Sequence, residues 1–247
     1  MPEIIQEQQT KDFIKLLPEL TVSPPSVHLL MLAARSRLAK VMHGVKIKDI
    51  VVERDIVRPV ANGRDRYFDK VYNIAVLQNN GRYKWNDILV SPKVMGIFAT
   101  LSPRNVYSSI VDLQKDTLTF LYQRDLSANL EVAKTHVLFF SALHKHKNRD
   151  YNFFTLDIDD PTLYPAIKDE VSRFNRLTTL QTSRGFHIIL NLSNPNHAKE
   201  WYQGNFLSQL KLKYPNGLDL QNDAQEPIAG TIYYKPTGEL HYVTMVD

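Results

Sequence analysis

Three observations in the sequence predict an α+β fold. In the C-terminal half, an apolar run ending in carboxylates, Phe153 to Asp159, leads through a helix-start signal into a helix-like segment and then two more apolar runs, 178–182 and 188–192. The N-terminal half mixes helical spacing with short β-rich runs separated by turn clusters. A chain of 247 residues with 43% hydrophobic content can also bury a full core. Together these predict one domain spanning 1–247. A small antiparallel sheet in 151–247 carries the acids, and a mixed α/β N-terminal lobe, 1–150, closes over it.

The elements follow in order. Residues 1 to about 21 are polar with one amphipathic piece, Phe13, Ile14, Leu16 and Leu17, stopped by Pro18. After Ser23-Pro24-Pro25-Ser26, the residues Val27, Leu30, Met31, Ala34, Leu38, Val41 and Met42 recur at helical spacing, predicting a helix closed by Gly44. Between 47 and 90 the pattern changes to β-rich runs at 50–52, 56–57, 71–77 and 88–90, and Asn79-Asn80-Gly81 predicts a hairpin turn. Residues 96–101 read as a strand ending at Ser102-Pro103-Arg104. Helices are predicted over 109–125 and 130–147, and the cations at the end of the second suit its backbone dipole. Farther on, 161–175 and 196–213 read as helices, and 231–234 with 240–243 as a hairpin-like pair.

The carboxylates are the chemical signal. In a strand, Phe154, Leu156 and Ile158 point to one face while Asp157 and Asp159 share the other. Two like charges that close repel, and a divalent cation held by oxygen ligands relieves them. Asp160 followed by Pro161 is a helix N-cap and receives no catalytic role. Downstream, the turn Ser183-Arg184-Gly185-Phe186-His187 offers a tight backbone, a guanidinium and an imidazole to an anion. Acids beside a basic turn suit a metal-bound triphosphate.

At these residues the chain resembles the archaeo-eukaryotic primase superfamily of primase-polymerases, in its plasmid, phage and prokaryotic forms. The matching segments are the hhhDhD strand Phe154-Thr155-Leu156-Asp157-Ile158-Asp159 and the turn from Ser183 to His187, which looks like the S-x-G-x-H variants. Gly217-Leu218-Asp219 fits the family's hhD strand, with Asp223 as the rival acid, and Pro227-Ile228-Ala229-Gly230-Thr231 is similar to a P-G-T segment. The likeness covers roughly 152–235, and Leu101-Ser102-Pro103-Arg104 looks like a short NPR segment. It implies an RRM-like catalytic core with the cleft between lobes. It further implies that Asp157, Asp159 and Asp219 hold two Mg²⁺ or Mn²⁺ ions, and that Ser183, Arg184 and His187 bind the incoming nucleotide.

Charge and composition bound the rest. Between 31 and 70, ten Lys or Arg stand against five acids, a net of +5 in a chain whose formal charge is +4. Such a basic segment suits a phosphate backbone, and Arg35, Arg37 and Arg104 are the candidate contacts to a single-stranded DNA template or primer-template. With no cysteine in the sequence, no thiolate zinc site and no disulfide is expected. No run has the length of a membrane span, so a cytoplasmic protein without membrane partners is expected. A helicase or other replication or repair protein is the implied protein partner. The expected activity is template-directed nucleotidyl transfer from nucleoside triphosphates. The alternatives are a metal-dependent nuclease, which needs the same acids, and a non-catalytic single-stranded nucleic-acid-binding module.

Overall fold

The computed structural model describes residues 3–44, 51–59, 63–81, 83–85, 88–123, 135–148, 150–222 and 225–246. They form an α+β structure built on antiparallel sheets. Helix α1 (Glu7–Leu16) buries Thr10, Phe13 and Ile14. The chain then enters β1 (Ser26–Ala34), where helical spacing had predicted a helix. The physical reason is two-sided burial: Leu29, Leu30 and Leu32 are all fully covered. A central strand hides both faces, and an apolar run of this length fits either element by pattern alone. Only the end of the predicted helix survives, as α2 (Ser36–His43), closed by Gly44 at a left-handed φ of 67°.

The strand β2 (Val51–Val57) pairs with β1 and joins the described part of the predicted run 50–52 to 56–57, Ile50 lying outside the described residues. The opposite misreading follows. The predicted strand 71–77 lies inside helix α3 (Gly63–Asn80), whose Tyr67, Val71, Ile74, Ala75 and Gln78 are buried at helical spacing. Asn79 and Asn80 therefore end a helix instead of turning a hairpin. The hairpin itself is β3 (Tyr83–Trp85) with β4 (Ile88–Val90). Beyond it come β5 (Met95–Thr100), β6 (Arg104–Asn105), α4 (Val106–Gln123) and α5 (Thr135–Lys145).

The C-terminal half runs β7 (Phe153–Ile158), α6 (Tyr164–Glu170), β8 (Arg176–Gln181), β9 (Phe186–Asn191), α7 (Pro195–Gln203) and α8 (Phe206–Lys213). A short 3-10 turn over Pro161–Leu163 precedes α6, and the Asp160 side chain caps it by accepting from the Thr162 N–H at 2.9 Å. The single helix predicted over 196–213 is broken at Gly204 and Asn205, the latter at a φ of 59°. The chain finishes with β10 (Leu218–Asn222), β11 (Gln225–Pro227) and β12 (Thr244–Met245).

Sheet order explains where chemistry can sit. The first sheet runs β11-β5-β1-β2, with β6 also on β1, and the second runs β10-β7-β9-β8-β12. β10 and β11 are near neighbours in sequence yet belong to different sheets, so the chain crosses between sheets there. Phe153, Leu180, Ile189 and Val243 join Leu30, Leu32 and Ile97 in one buried cluster. Facing the other way, Phe154, Leu156, Ile158, Ile188 and Leu190 pack under α6–α8 with Phe174, Trp201 and Phe206. Residues after β11 return to α1: the Gln6 N–H donates to the Gly230 carbonyl at 2.8 Å, and Thr10 Oγ1 donates to the Ala229 carbonyl at 2.9 Å. A Cβ on Gly230 would stand 2.5 Å from the Gln6 carbonyl oxygen, so glycine is required for that approach. Among the described residues no helix is long and apolar enough to cross a membrane.

Candidate functional site

Pairing of the central strands brings the predicted acids together. Asp219 on β10 lies directly opposite Asp157 on β7, and Asp157 lies directly opposite His187 on β9. Directly opposed residues of antiparallel strands share a face with Cβ atoms about 4.5–5.5 Å apart. Asp159, two residues beyond Asp157, points to the same side. These four line a cleft of ≈ 380 Å³, and Arg35 and Arg184 line it too. The turn is pressed onto the acidic strand: a Cβ on Gly185 would stand 1.8 Å from the Ile158 carbonyl oxygen, so only glycine lets the two segments touch. No family model, characterised protein or solved structure matches the chain.

The residue that sequence reasoning missed is Glu226 on β11. It is 1% exposed and accepts from Thr155 Oγ1 at 2.6 Å. Its second carboxylate oxygen lies 2.7 Å from His187 Nδ1, while His187 Nε2 lies 3.3 Å from Asp157. The imidazole thus bridges a buried carboxylate and a cleft carboxylate. Burial works against its charged form, but Glu226 and then Asp157 outweigh that, and the net effect raises its pKa above the ordinary 6.5. Its Nδ1 is hydrogen-bonded to Glu226, and its Nε2 faces Asp157.

Asp157 is the strained partner. Burial pushes its carboxyl up; His187 pulls it down, and Asp159, Glu226 and Asp219 push it up again, leaving it above its ordinary 3.8. On the cationic wall the strain has the opposite sign. Arg35 is pushed down by burial, and Arg184 adds like-charge repulsion. Its guanidinium lies 3.7 Å from the centre of the Tyr233 ring and donates to the Tyr234 carbonyl and, at 3.3 Å, to Ser183 Oγ.

The remaining predicted residues separate from this group. Ser183 is held by Arg35 and is not among the cleft's lining residues. Arg104 is 3% exposed and donates from its guanidinium to the His144 carbonyl at 3.2 Å, which ties β6 to the end of α5. That is a structural post away from the cleft, so the expected template contact does not fit it. Arg37 lies in α2, but its side chain is outside the described residues, as is Asp223. Gln221, Thr182 and Tyr233 also line the cleft and were not predicted. Gln221 was within reach, standing two residues past Asp219 on one strand, whereas Tyr233 meets Arg35 only through tertiary packing.

As for a metal, among the described residues no three carboxylate or imidazole groups close around a single point. Mg²⁺ does not ask for a closed protein cage, since it commonly takes one or two carboxylates and completes its shell with water and substrate phosphates. The hard oxygen donors of Asp157, Asp159 and Asp219, with Asp157 already strained by its acidic neighbours, fit that open arrangement.

Proposed function

We propose that the chain is a template-directed nucleotidyltransferase, a primase or DNA polymerase that extends a strand from nucleoside triphosphates. The observation that carries the reading is the gathering of opposite charges in one cleft: Asp157, Asp159 and Asp219 with Arg35, Arg184 and His187. A triphosphate with its divalent cation has that charge distribution. Asp157, Asp159 and Asp219 would hold Mg²⁺ or Mn²⁺, which when bound supplies Lewis-acid activation of the reacting hydroxyl and phosphate. Arg184 and His187, through the Nε2 that faces the cleft, bind the triphosphate oxygens, and Glu226 orients His187 from Nδ1. Arg35, stacked on Tyr233, fixes the far wall. In the reaction the strand's terminal hydroxyl gives up its proton to solvent, its oxygen bonds to the α-phosphorus, the bond to the bridging oxygen breaks, and pyrophosphate departs.

The kinship to archaeo-eukaryotic primases belongs to the same proposal. Its support is the succession β7-α6-β8-β9, helices, β10 with sheet order β10-β7-β9-β8, the arrangement of an RRM-like core. Asp157 of the first motif and His187 of the second meet on its central strands.

Incubating the protein with a single-stranded template, labelled triphosphates and Mn²⁺ tests the reading. Lengthened, labelled products support it. A shortened template would instead identify a nuclease, and a bound but unchanged template a non-catalytic binding module.

A further inference from the structure

A second group of arginines lies away from the acidic cleft. Among the described residues β2 is the outer strand of the first sheet, paired with β1 alone. Along its open edge runs a cavity of ≈ 600 Å³, walled on one side by α3 and on the other by Phe140 of α5. Side chains alternate along a strand, so Arg54 and Ile56 leave one side of β2 while Asp55 and Val57 leave the other, and Arg58 follows at the strand's end. Both sets line the cavity, which therefore straddles the strand edge.

Its charge is unbalanced toward the positive. Arg54, Arg58, Arg66 and Lys70 face Asp55 and Asp69. Lys70 is committed to Asp55, with Nζ at 2.6 and 2.5 Å from the two carboxylate oxygens. Three arginines then stand against Asp69. The Arg54 guanidinium sits 5.6 Å from the centre of the Phe140 ring, and its Nε is buried without a hydrogen-bond partner among the described residues. Guanidinium groups grip phosphate oxygens in a two-pronged fork, and an open strand edge adds outward backbone N–H groups.

We propose that this edge groove is a second nucleic-acid site, binding the phosphodiester backbone of a single strand apart from the acidic cleft. The proposal rests on the reading of the chain as a nucleic-acid enzyme. The two cavities share no lining residue. Within the first sheet, β11 with Glu226 lies at the edge opposite β2, about 14 Å away at the usual strand spacing. A strand held in the groove thus leaves the cleft free for a triphosphate.

Fluorescence anisotropy of labelled oligo-deoxythymidylate, titrated with the full chain at several NaCl concentrations, tests the site. Arg58→Ala/Arg66→Ala should bind roughly 10-fold more weakly at about 100 mM NaCl, and its log–log salt slope should fall by about 1.4, at ~0.7 per single-strand phosphate contact. Asp69→Asn, which removes an opposing charge from the groove, should bind more tightly with an unchanged melting temperature. Unchanged affinity and slope in both variants would overturn the site, and so would variants that lose affinity only for a poly-glutamate competitor. The outcome separates from the nucleotidyl-transfer reading. Altered slopes with no incorporation by the wild type would leave the groove standing and sink the transferase, and incorporation with unaltered slopes would do the reverse.

Discussion

The two faces of the second sheet are made from alternate residues of the same strands, yet one is closed and the other opens. On the face under α6–α8, Trp201 meets Phe154 and Phe174 edge-on with ring centres 5.0 and 4.9 Å apart. A polar cost of that face is the Trp201 Nε1, buried without a hydrogen-bond partner among the described residues. The face toward the first sheet begins in the same way, with Phe153 and Ile189 in the shared core. It then changes along the strands, through Thr155, to Asp157 and His187, where the sheets part around a cleft. The difference shows that packing and charge are assigned by position along one pleat, and that chemistry is placed where the shared core ends. Substitutions on the two faces should therefore separate stability from activity.

The largest effects form a crossed pair. Trp201→Ala on the closed face should cost about 3–5 kcal/mol of stability, as measured by denaturant unfolding, while its folded fraction keeps its specific activity. Asp157→Ala or Asp159→Ala on the open face should abolish nucleotide incorporation without lowering the melting temperature, because each relieves carboxylate repulsion. Near wild-type incorporation by either acid variant would break the assignment of that face. Next in size is Gly185→Ala, which forces the turn off the Ile158 carbonyl. It should cost about 1–3 kcal/mol and weaken triphosphate binding together, a coupling that neither face shows alone.

A smaller effect sharpens the role of the buried acid. His187→Ala and Glu226→Gln should both raise the apparent KM for the triphosphate more than they lower kcat, since Glu226 acts through His187. Steady-state kinetics over triphosphate concentration decides it, and an unchanged KM in the histidine variant would return His187 to a structural role.

That acid also marks where the sequence stops being legible. The alternation around Asp157 and the turn before His187 are local patterns, and the strands formed close to where the pattern put them. Glu226 lies 39 residues from His187 and meets it only because the chain changes sheets between β10 and β11. No local spacing encodes such a crossing. In the N-terminal half the ambiguity was of another kind. The run at 27–34 is buried on both faces, and the run at 71–77 belongs to an amphipathic helix. Apolar residues alone fit either element, and tertiary cover decides between them.

The smallest predicted effect concerns pH. The raised pKa of His187 contributes stability that is complete below 6.5 and is lost as pH rises through the folded value. Asp157, also raised, contributes stability present below 3.8 and lost on the same upward course. Unfolding midpoints should therefore fall as pH rises above 6.5 in the wild type, and fall less in His187→Gln.

The central claim, the proposal that the acids of the open face bind a divalent cation, is tested most directly by thermal unfolding under Mn²⁺ titration. The wild type should gain melting temperature in a saturable way, because an ion that binds only the folded state stabilises it. Asp157→Asn should start at or above the wild-type melting temperature, and both it and Asp219→Asn should gain little or nothing from the ion. Equal gains in all three proteins, or no gain in the wild type, would contradict the account.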